Sequence, residues 1–489
     1  MSRIPLSSSV RPRQQTLPIL ALCALLSLPF NRLLANQLPL LGDTSSAIVT
    51  LEEERRLGNA WVRVLRAQAP LLDDPITISF VQELLQQLAI YSPLQDRRLT
   101  LVVVANNNLN AFAVPGGIIG VNSGLFLYAG TESEFASVLA HELSHLSQRH
   151  YAQGLAEDKR SLPARLATTM AGILLLATTN GQAGAAAIIG GQAAAMERRL
   201  AYSRSNEQEA DRVGMQVLVD AGYEPESMPR MFSQLQRSIA NLGRKPPEFL
   251  LTHPVTESRI ADALNRSSQL PRGGRVNSLR YQLIRTRVQV MSIGDNNAAY
   301  KRYLDALDAG QETESVRYGI ALSALRSQRY EEARQQIDLL LEQHPNELIL
   351  RLLQTELWIE QQQAEQAVET LQQLLDVYPQ NHPITMQLAQ ALHQLDRQAE
   401  VIALLENQSR VEPNDIQLWY ELAEAYGLNN NIKGVHLARA EYFLLKGALP
   451  KATKHLELAL KQPDLSEHER LRVEQRVKEA EQLKKDMEF

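Results

Sequence analysis

Residues 131–146 read Thr-Glu-Ser-Glu-Phe-Ala-Ser-Val-Leu-Ala-His-Glu-Leu-Ser-His-Leu. Thr131 followed three residues later by Glu134 is a helix-start pattern, the threonine hydroxyl accepting from a free first-turn amide. Phe135, Val138, Leu139, Leu143 and Leu146 then recur at helical spacing. The stretch predicts a helix with an apolar face. On that helix His141 and His145 lie four apart, about 40° around the axis, so both rings can reach one metal ion. Glu142 stands beside the first histidine, where a carboxylate can hold an attacking water and take its proton. The bland alternative is a surface helix carrying two unrelated histidines.

A catalytic zinc needs a third protein ligand and an open position. The extended three-histidine motif has a glycine three residues, and a histidine six residues, after the second histidine. Gln148 and Tyr151 occupy those places, so His150, although near, does not complete it. The better candidate is Asn206-Glu207-Gln208-Glu209-Ala210-Asp211, which opens a second predicted helix with Val213, Val217 and Leu218 on its apolar side. Glu207 and Asp211 are four apart and share a face. One carboxylate can bind the metal while the other accepts from a ligand histidine and sets its tautomer. Taken singly, either reads as a helix-dipole or capping residue. His253, before Pro254, is held in extended or turn backbone. It can cap the site, donate to a developing oxyanion, or fill the open metal position at rest; a loop histidine packed at the domain edge is the alternative. Arg259 reads equally as a carboxylate or oxyanion partner and as a surface salt bridge.

Upstream, helical patterns at 51–68 and 76–90 lead into strand-like runs at 99–104, 111–114 and 118–122, with Pro115-Gly116-Gly117 between the last two. A proline beside a strand marks a sheet edge. An edge next to the metal can take an extended peptide as an added strand, reading backbone more than side chains. Between the two motif helices, residues 166–196 carry no charged group until Glu197 and are rich in alanine, glycine and threonine. They read as two short segments forming a lid or hairpin over the cleft, able to lie on a membrane surface. A buried helix pair is the alternative, and a single span is disfavoured by the interruptions at Asn180, Gly181, Gln182, Gly190 and Gly191.

The front of the chain sets the compartment. Arg3, Arg11 and Arg13 precede an apolar run at 17–30, with no acidic residue before Asp43 and a small residue at Ala35. That is a cleavable signal peptide layout over 1–35. Cys23, the single cysteine, lies inside the run after Leu22, which is not small, so lipidation is not expected. The mature chain then has no thiol chemistry. Loss of a leader with four arginines and no acid takes the net charge from −5 to −9, which gives no basis for nucleic-acid binding.

The C-terminal half repeats. Pro345, Pro379 and Pro413 are 34 residues apart; Ala333, Ala367 and Val401 keep the period, as do Ile337, Leu371 and Leu405. This is the tetratricopeptide period, one helical hairpin per unit. The next unit opens with Trp419, Leu422, Ala423, Tyr426 and Gly427, after which the proline period lapses and irregular last units are expected. Stacked hairpins offer a surface for polypeptides and carry no catalytic constellation.

The expectation is a mainly α chain: an α+β zincin metallopeptidase domain with a small edge sheet at 45–265, a helical linker at 266–310, an all-α repeat solenoid at 311–465 and a charged helix at 466–489. The segments at 141–145 and 206–211, with Thr252-His253-Pro254 and Arg259, resemble the zinc endopeptidases that include the CAAX prenyl proteases and the HtpX heat-shock protease. With a leader in front and repeats behind, the chain is similar to the periplasmic beta-barrel assembly-enhancing proteases over nearly its whole mature length. The resemblance implies one Zn2+ held by His141, His145 and Glu207, Glu142 as general base, and Asp211 as orienting or proton-donating acid. It also implies the periplasm of a Gram-negative cell, with misfolded or stalled polypeptides, in particular outer-membrane beta-barrel proteins and their assembly machinery, as partners. Two functions stand side by side: an active endopeptidase with a chaperone role, or mainly a chaperone or scaffold with a latent protease site.

Overall fold

A computed structural model describes residues 50–151, 204–242 and 248–487. The expected leader (1–35) and the uncharged stretch at 166–196 lie outside the described residues. Among those described, no helix is long and apolar enough to cross a membrane.

The chain opens with α1 (Leu51–Gln68) and α2 (Pro75–Tyr91). Thr50 and Glu53 form a reciprocal capping box at the start of α1. Asp74 caps α2 by accepting from Thr77 N at 3.1 Å, with Pro75 in the first turn, where a missing N–H costs nothing. Strands β1 (Thr100–Val104), β2 (Ala111–Val114) and β3 (Ile118–Asn122) form a three-stranded sheet in the order β1-β3-β2. β1 pairs with β3 in parallel and β2 with β3 antiparallel, so β2 is an edge. The β2–β3 turn needs positive φ at Gly116 and Gly117 (94° and 83°), a region open to glycine at little steric cost.

A short α3 (Leu125–Tyr128) leads to α4 (Glu132–Ser147), the histidine helix. Thr131 caps it, accepting from Glu134 N at 3.3 Å. Glu134 reaches one residue further back than a capping box requires and accepts from Gly130 N at 2.8 Å. α5 (Arg204–Asp220), α6 (Ser227–Leu242), α7 (Glu248–Thr252) and α8 (Glu257–Gln269) follow. α4 packs against β2 on one side and α5 on the other. Phe126, Phe135 and Tyr281 cluster beneath it, with centroids 4.3–6.0 Å apart.

The repeat array consists of α9 (Leu279–Ile293) and α10 (Asn296–Asp308), then α11 (Glu314–Arg326) and α12 (Tyr330–Gln343), α13 (Leu348–Glu360) and α14 (Ala364–Val377), α15 (His382–Gln394) and α16 (Gln398–Val411), and α17 (Ile416–Leu428) and α18 (Ile432–Leu445). α19 (Leu449–Leu460) and the charged α20 (Glu467–Met487) end it. Residues 266–310, expected as linker, thus contain a helical hairpin in phase with the repeat. The left-handed residue at the turn between paired helices recurs at Gly294, Gln328, Gln362, Asp396 and Asn430, each 34 after the last. The period also outlasts the proline column: α19 and α20 begin within one residue of where α17 and α18 project. Proline marks loops, whereas the register is carried by the helix-packing residues.

The array packs directly on the peptidase part. α2 lies against α9 and α15, and α1 against α18 and α20. At the centre of this contact Arg287 of α9 binds Asp74 at 2.8 Å, with both side chains buried, and reaches Glu356 of α13 at 3.4 Å.

Candidate metal centre

α4 presents His141 and His145 on one face, with Nε2 atoms 3.0 Å apart. α5 crosses close by because Gly214 lies at the contact: a Cβ there would sit 3.1 Å from the Ala140 and His141 backbone. Gly214 shares a face with Glu207 and Asp211, being seven and three residues on. The close crossing carries Glu207 to 3.5 Å from His141 Nε2 and 3.4 Å from His145 Nε2. Asp211 meets the other side of the first ring, Oδ1 to Nδ1 at 3.0 Å. His253 enters from the turn after α7, its Nδ1 3.1 Å from Glu207 and 3.4 Å from His141 Nε2, and its Nε2 3.5 Å from Glu142. One donor atom from each of His141, His145, Glu207 and His253 lies within 4.8 Å of the others, all four buried.

The electrostatics follow from packing ionisable groups together out of water. Burial works against a charged His141, but Asp211 and Glu207 outweigh it and lift its pKa to about 9. Burial and the neighbouring His141 push His145 well below its usual value. Burial raises Asp211 and Glu207, but the bonds from His141 and Arg259 hold Asp211 below its ordinary range, and His253 with His141 holds Glu207 well below. Burial pushes the Glu142 carboxyl up, opposed by His253 and His141. The Ala113 backbone also lowers it, though neither Glu142 oxygen has a well-aligned hydrogen bond among the described residues.

The donor chemistry fits a metal. Two imidazoles and a carboxylate converge; Asp211 Oδ1 lies 3.0 Å from Nδ1 of His141 and His150 lies 2.9 Å from Nδ1 of His145, while the Nε2 atoms of both rings face the cluster. A concentrated, buried negative charge at Glu207 beside two imidazoles suits a divalent cation better than a proton shared among them.

All six residues singled out from the sequence, His141, Glu142, His145, Glu207, Asp211 and His253, meet at this place. Arg259 is not a surface residue: it is 3% exposed, forks onto Asp211 with two contacts of 2.7 Å, and touches Glu207 at 2.7 Å. Its guanidinium also stacks over Phe232 at 5.0 Å. Gly214 had a legible signal in its spacing from Glu207. His150 and Glu209, discussed below, did not stand out, because His150 fits no ligand spacing and Glu209 sits on another face of α5.

The model for Peptidase family M48 matches residues 77–267, and a tetratricopeptide-repeat model matches 359–426. The chain is 33% identical to the beta-barrel assembly-enhancing protease of Yersinia pestis over 448 residues, 91% of this chain and 92% of that protein. It is 33% identical to the protein of the same name from Escherichia coli over 92% of each chain. A mitochondrial metalloendopeptidase of Arabidopsis thaliana is 30% identical over 172 residues, 35% of this chain and 32% of that one. Together with the buried histidine and carboxylate cluster at the crossing of α4 and α5, these similarities place the chain, as a metalloendopeptidase with tetratricopeptide repeats, in the beta-barrel assembly-enhancing protease family.

Proposed function

We propose that the chain is a zinc endopeptidase of the periplasm that hydrolyses misfolded or stalled polypeptides. The observation carrying this is the convergence of four buried donor atoms within 4.8 Å beside the fully buried carboxylate of Glu142. An imidazole and carboxylate set suits Zn2+, held by His141, His145 and Glu207. When bound, the ion polarises the scissile carbonyl and acidifies water. Glu142, made a stronger base by burial, takes the proton from water as the carboxylate and hands it to the leaving amine. Asp211 holds His141 in one tautomer, and Arg259 holds Asp211 and Glu207 in place. β2, at the sheet edge and packed on α4, receives the substrate as an added strand.

His253 occupies the fourth donor position at rest, touching both Glu207 and Glu142. This favours a resting enzyme that is closed, and with it a second reading in which the chain acts mainly as a chaperone or scaffold until substrate displaces His253. The relatives' names speak of beta-barrel assembly, which supports the partners implied by the resemblance: outer-membrane beta-barrel proteins and their assembly machinery, held through the repeats, and no nucleic acid. The division into a peptidase unit at 45–265, a helical linker at 266–310, a repeat solenoid at 311–465 and a terminal charged helix at 466–489 belongs to the same proposal. The test is to incubate the purified chain with an unfolded beta-barrel protein, with and without a chelator. Cleavage that stops with chelator and in Glu142→Gln supports the endopeptidase. Full replacement of the wild type in cells by Glu142→Gln supports the scaffold.

A further inference from the structure

His141 has its orienting partner in Asp211. His145 meets a second imidazole on its outer nitrogen. Its Nδ1 lies 2.9 Å from Nδ1 of His150, a ring that is 1% exposed and meets His145 edge-on, centroids 4.9 Å apart at 73°. The Nε2 of His150 in turn lies 3.4 Å from Glu209 Oε2 on α5.

The backbone that puts His150 there is unusual. α4 ends at Ser147, and the chain reverses through Arg149 with φ 52°, a left-handed conformation that non-glycine residues seldom adopt. Arg149 is fixed by a buried pair with Glu54 at 2.7 Å. A strained residue held by a buried ion pair is the kind of local cost that accompanies a positioned side chain. Without that reversal His150 would continue along the helix, away from His145.

One assignment of protons satisfies all these contacts. If the Nε2 lone pair of His145 faces the metal cluster, its Nδ1 carries the hydrogen and donates. His150 Nδ1 must then accept, so its own hydrogen is on Nε2 and points at Glu209. The geometry points to His150 and Glu209 as a relay of positioning residues, Glu209 to His150 to His145, that fixes the tautomer and orientation of the second metal-binding histidine. The relay rests on the reading of His145 as a metal ligand. Glu209 is half-exposed, so the relay runs from the buried ligand to solvent.

The experiment loads purified full-length protein with Zn2+ and titrates it with a competing chelator. The variants are His150→Phe, His150→Asn and Glu209→Ala, with His141→Ala as a control. His150→Phe keeps the ring volume and removes the acceptor; His150→Asn loses volume but keeps an acceptor oxygen near the Nδ1 position. The relay predicts roughly 10- to 100-fold weaker Zn2+ binding in His150→Phe. It predicts near wild-type binding in His150→Asn and several-fold weaker binding in Glu209→Ala. A packing role gives the reverse order, with Phe tolerated and Asn weakened, and that order overturns the proposal. Should His150→Phe fail to fold, Glu209→Ala decides, since its half-exposed side chain contributes little to packing; unchanged Zn2+ binding there also overturns it. If His141→Ala binds Zn2+ as tightly as wild type, the metal-site reading itself fails, a result distinct from either outcome for the relay.

Discussion

Replacing Asp74 by alanine tests how the array is joined to the peptidase unit. The Asp74 side chain is 4% exposed and that of Arg287 6%, and three contacts of 2.8–3.0 Å join them. The same carboxylate caps α2 through Thr77. Loss of a cap costs about 0.5–2 kcal/mol, and leaving a buried cation without its partner costs about 3–5 kcal/mol. The two losses share one carboxylate and do not simply add, and Glu356 at 3.4 Å softens the second. The expected cost of Asp74→Ala is therefore about 3–5 kcal/mol. Urea unfolding followed by tryptophan fluorescence reads it, because Trp61 reports on the peptidase unit and Trp358 and Trp419 on the array. Replacing both charges, Asp74→Leu with Arg287→Met, should cost less than Asp74→Ala alone, since no buried charge is left unpaired. The pH dependence has a definite sign. Burial pushes the Asp74 carboxyl up, but Arg287 and Thr77 outweigh it and hold it below 3.8. Its contribution is thus full above about pH 4 and fades as pH falls through the lower folded value. Wild type and Asp74→Ala should converge in acid. A single-variant cost under about 1 kcal/mol, within the range of exposed pairs, or a gap that widens in acid, refutes the buried-clamp account.

Other outcomes are equally direct. Glu142→Gln should retain Zn2+ and the wild-type unfolding curve while cleavage falls by at least about 100-fold, the usual size of a general-base contribution; substantial residual cleavage would move the base elsewhere. His253→Ala should speed cleavage of an unfolded protein while the metal stays bound, and an unchanged rate with unchanged metal content would make His253 a packing residue. Gly214→Val should push α5 away from α4 and weaken Zn2+ binding, whereas Gly214→Ala, whose Cβ meets backbone at 3.1 Å, should be milder; chelator titration of both checks the order. Arg259→Ala strands two buried carboxylates and should cost about 3–5 kcal/mol in the metal-free protein, with Zn2+ recovering part of it; equal losses with and without Zn2+ would show that Arg259 does not act on the ligands.

Much of this site was legible because its residues recur at helical spacing. His141 with His145, and Glu207 with Asp211, each fall on one face of a helix, and period alone predicts that. What period cannot supply is the distance between two helices, which Gly214 sets, or the path of a chain leaving a helix. His150 illustrates the second limit. Read as a ligand it fails its motif, and its position beside His145 depends on a left-handed Arg149 held by Glu54, 95 residues earlier. Arg259 illustrates a third limit. Burial of a charged residue six positions after a loop histidine is decided by tertiary contacts with Asp211, Glu207 and Phe232. In the array, the proline column located the units but understated their number. The turn residue preceding the second helix of each hairpin is glycine at 294 and glutamine, aspartate or asparagine at the others, and that mixture hides one conserved backbone conformation from a reader of side-chain identity.

The entry to the array is not a tether but part of the support of the histidine helix. Ser133 N donates to Val276 O at 3.0 Å, and Glu132 N to Asn277 Oδ1 at 3.2 Å. Glu132 accepts from Tyr223 at 2.7 Å, from Arg275 at 3.3 Å and from Ser278, which itself caps α9. Tyr281 and Arg285 of α9 donate to the Ala129 carbonyl at 2.9 and 3.0 Å, just before α4 begins. The first amides of the helix that carries His141 and His145 are therefore satisfied by the segment that starts the repeats. A helix whose N-terminal donors are met by another unit has its end position set by that unit. The helix so anchored at its start is 16 residues long and carries His145 in its last turn.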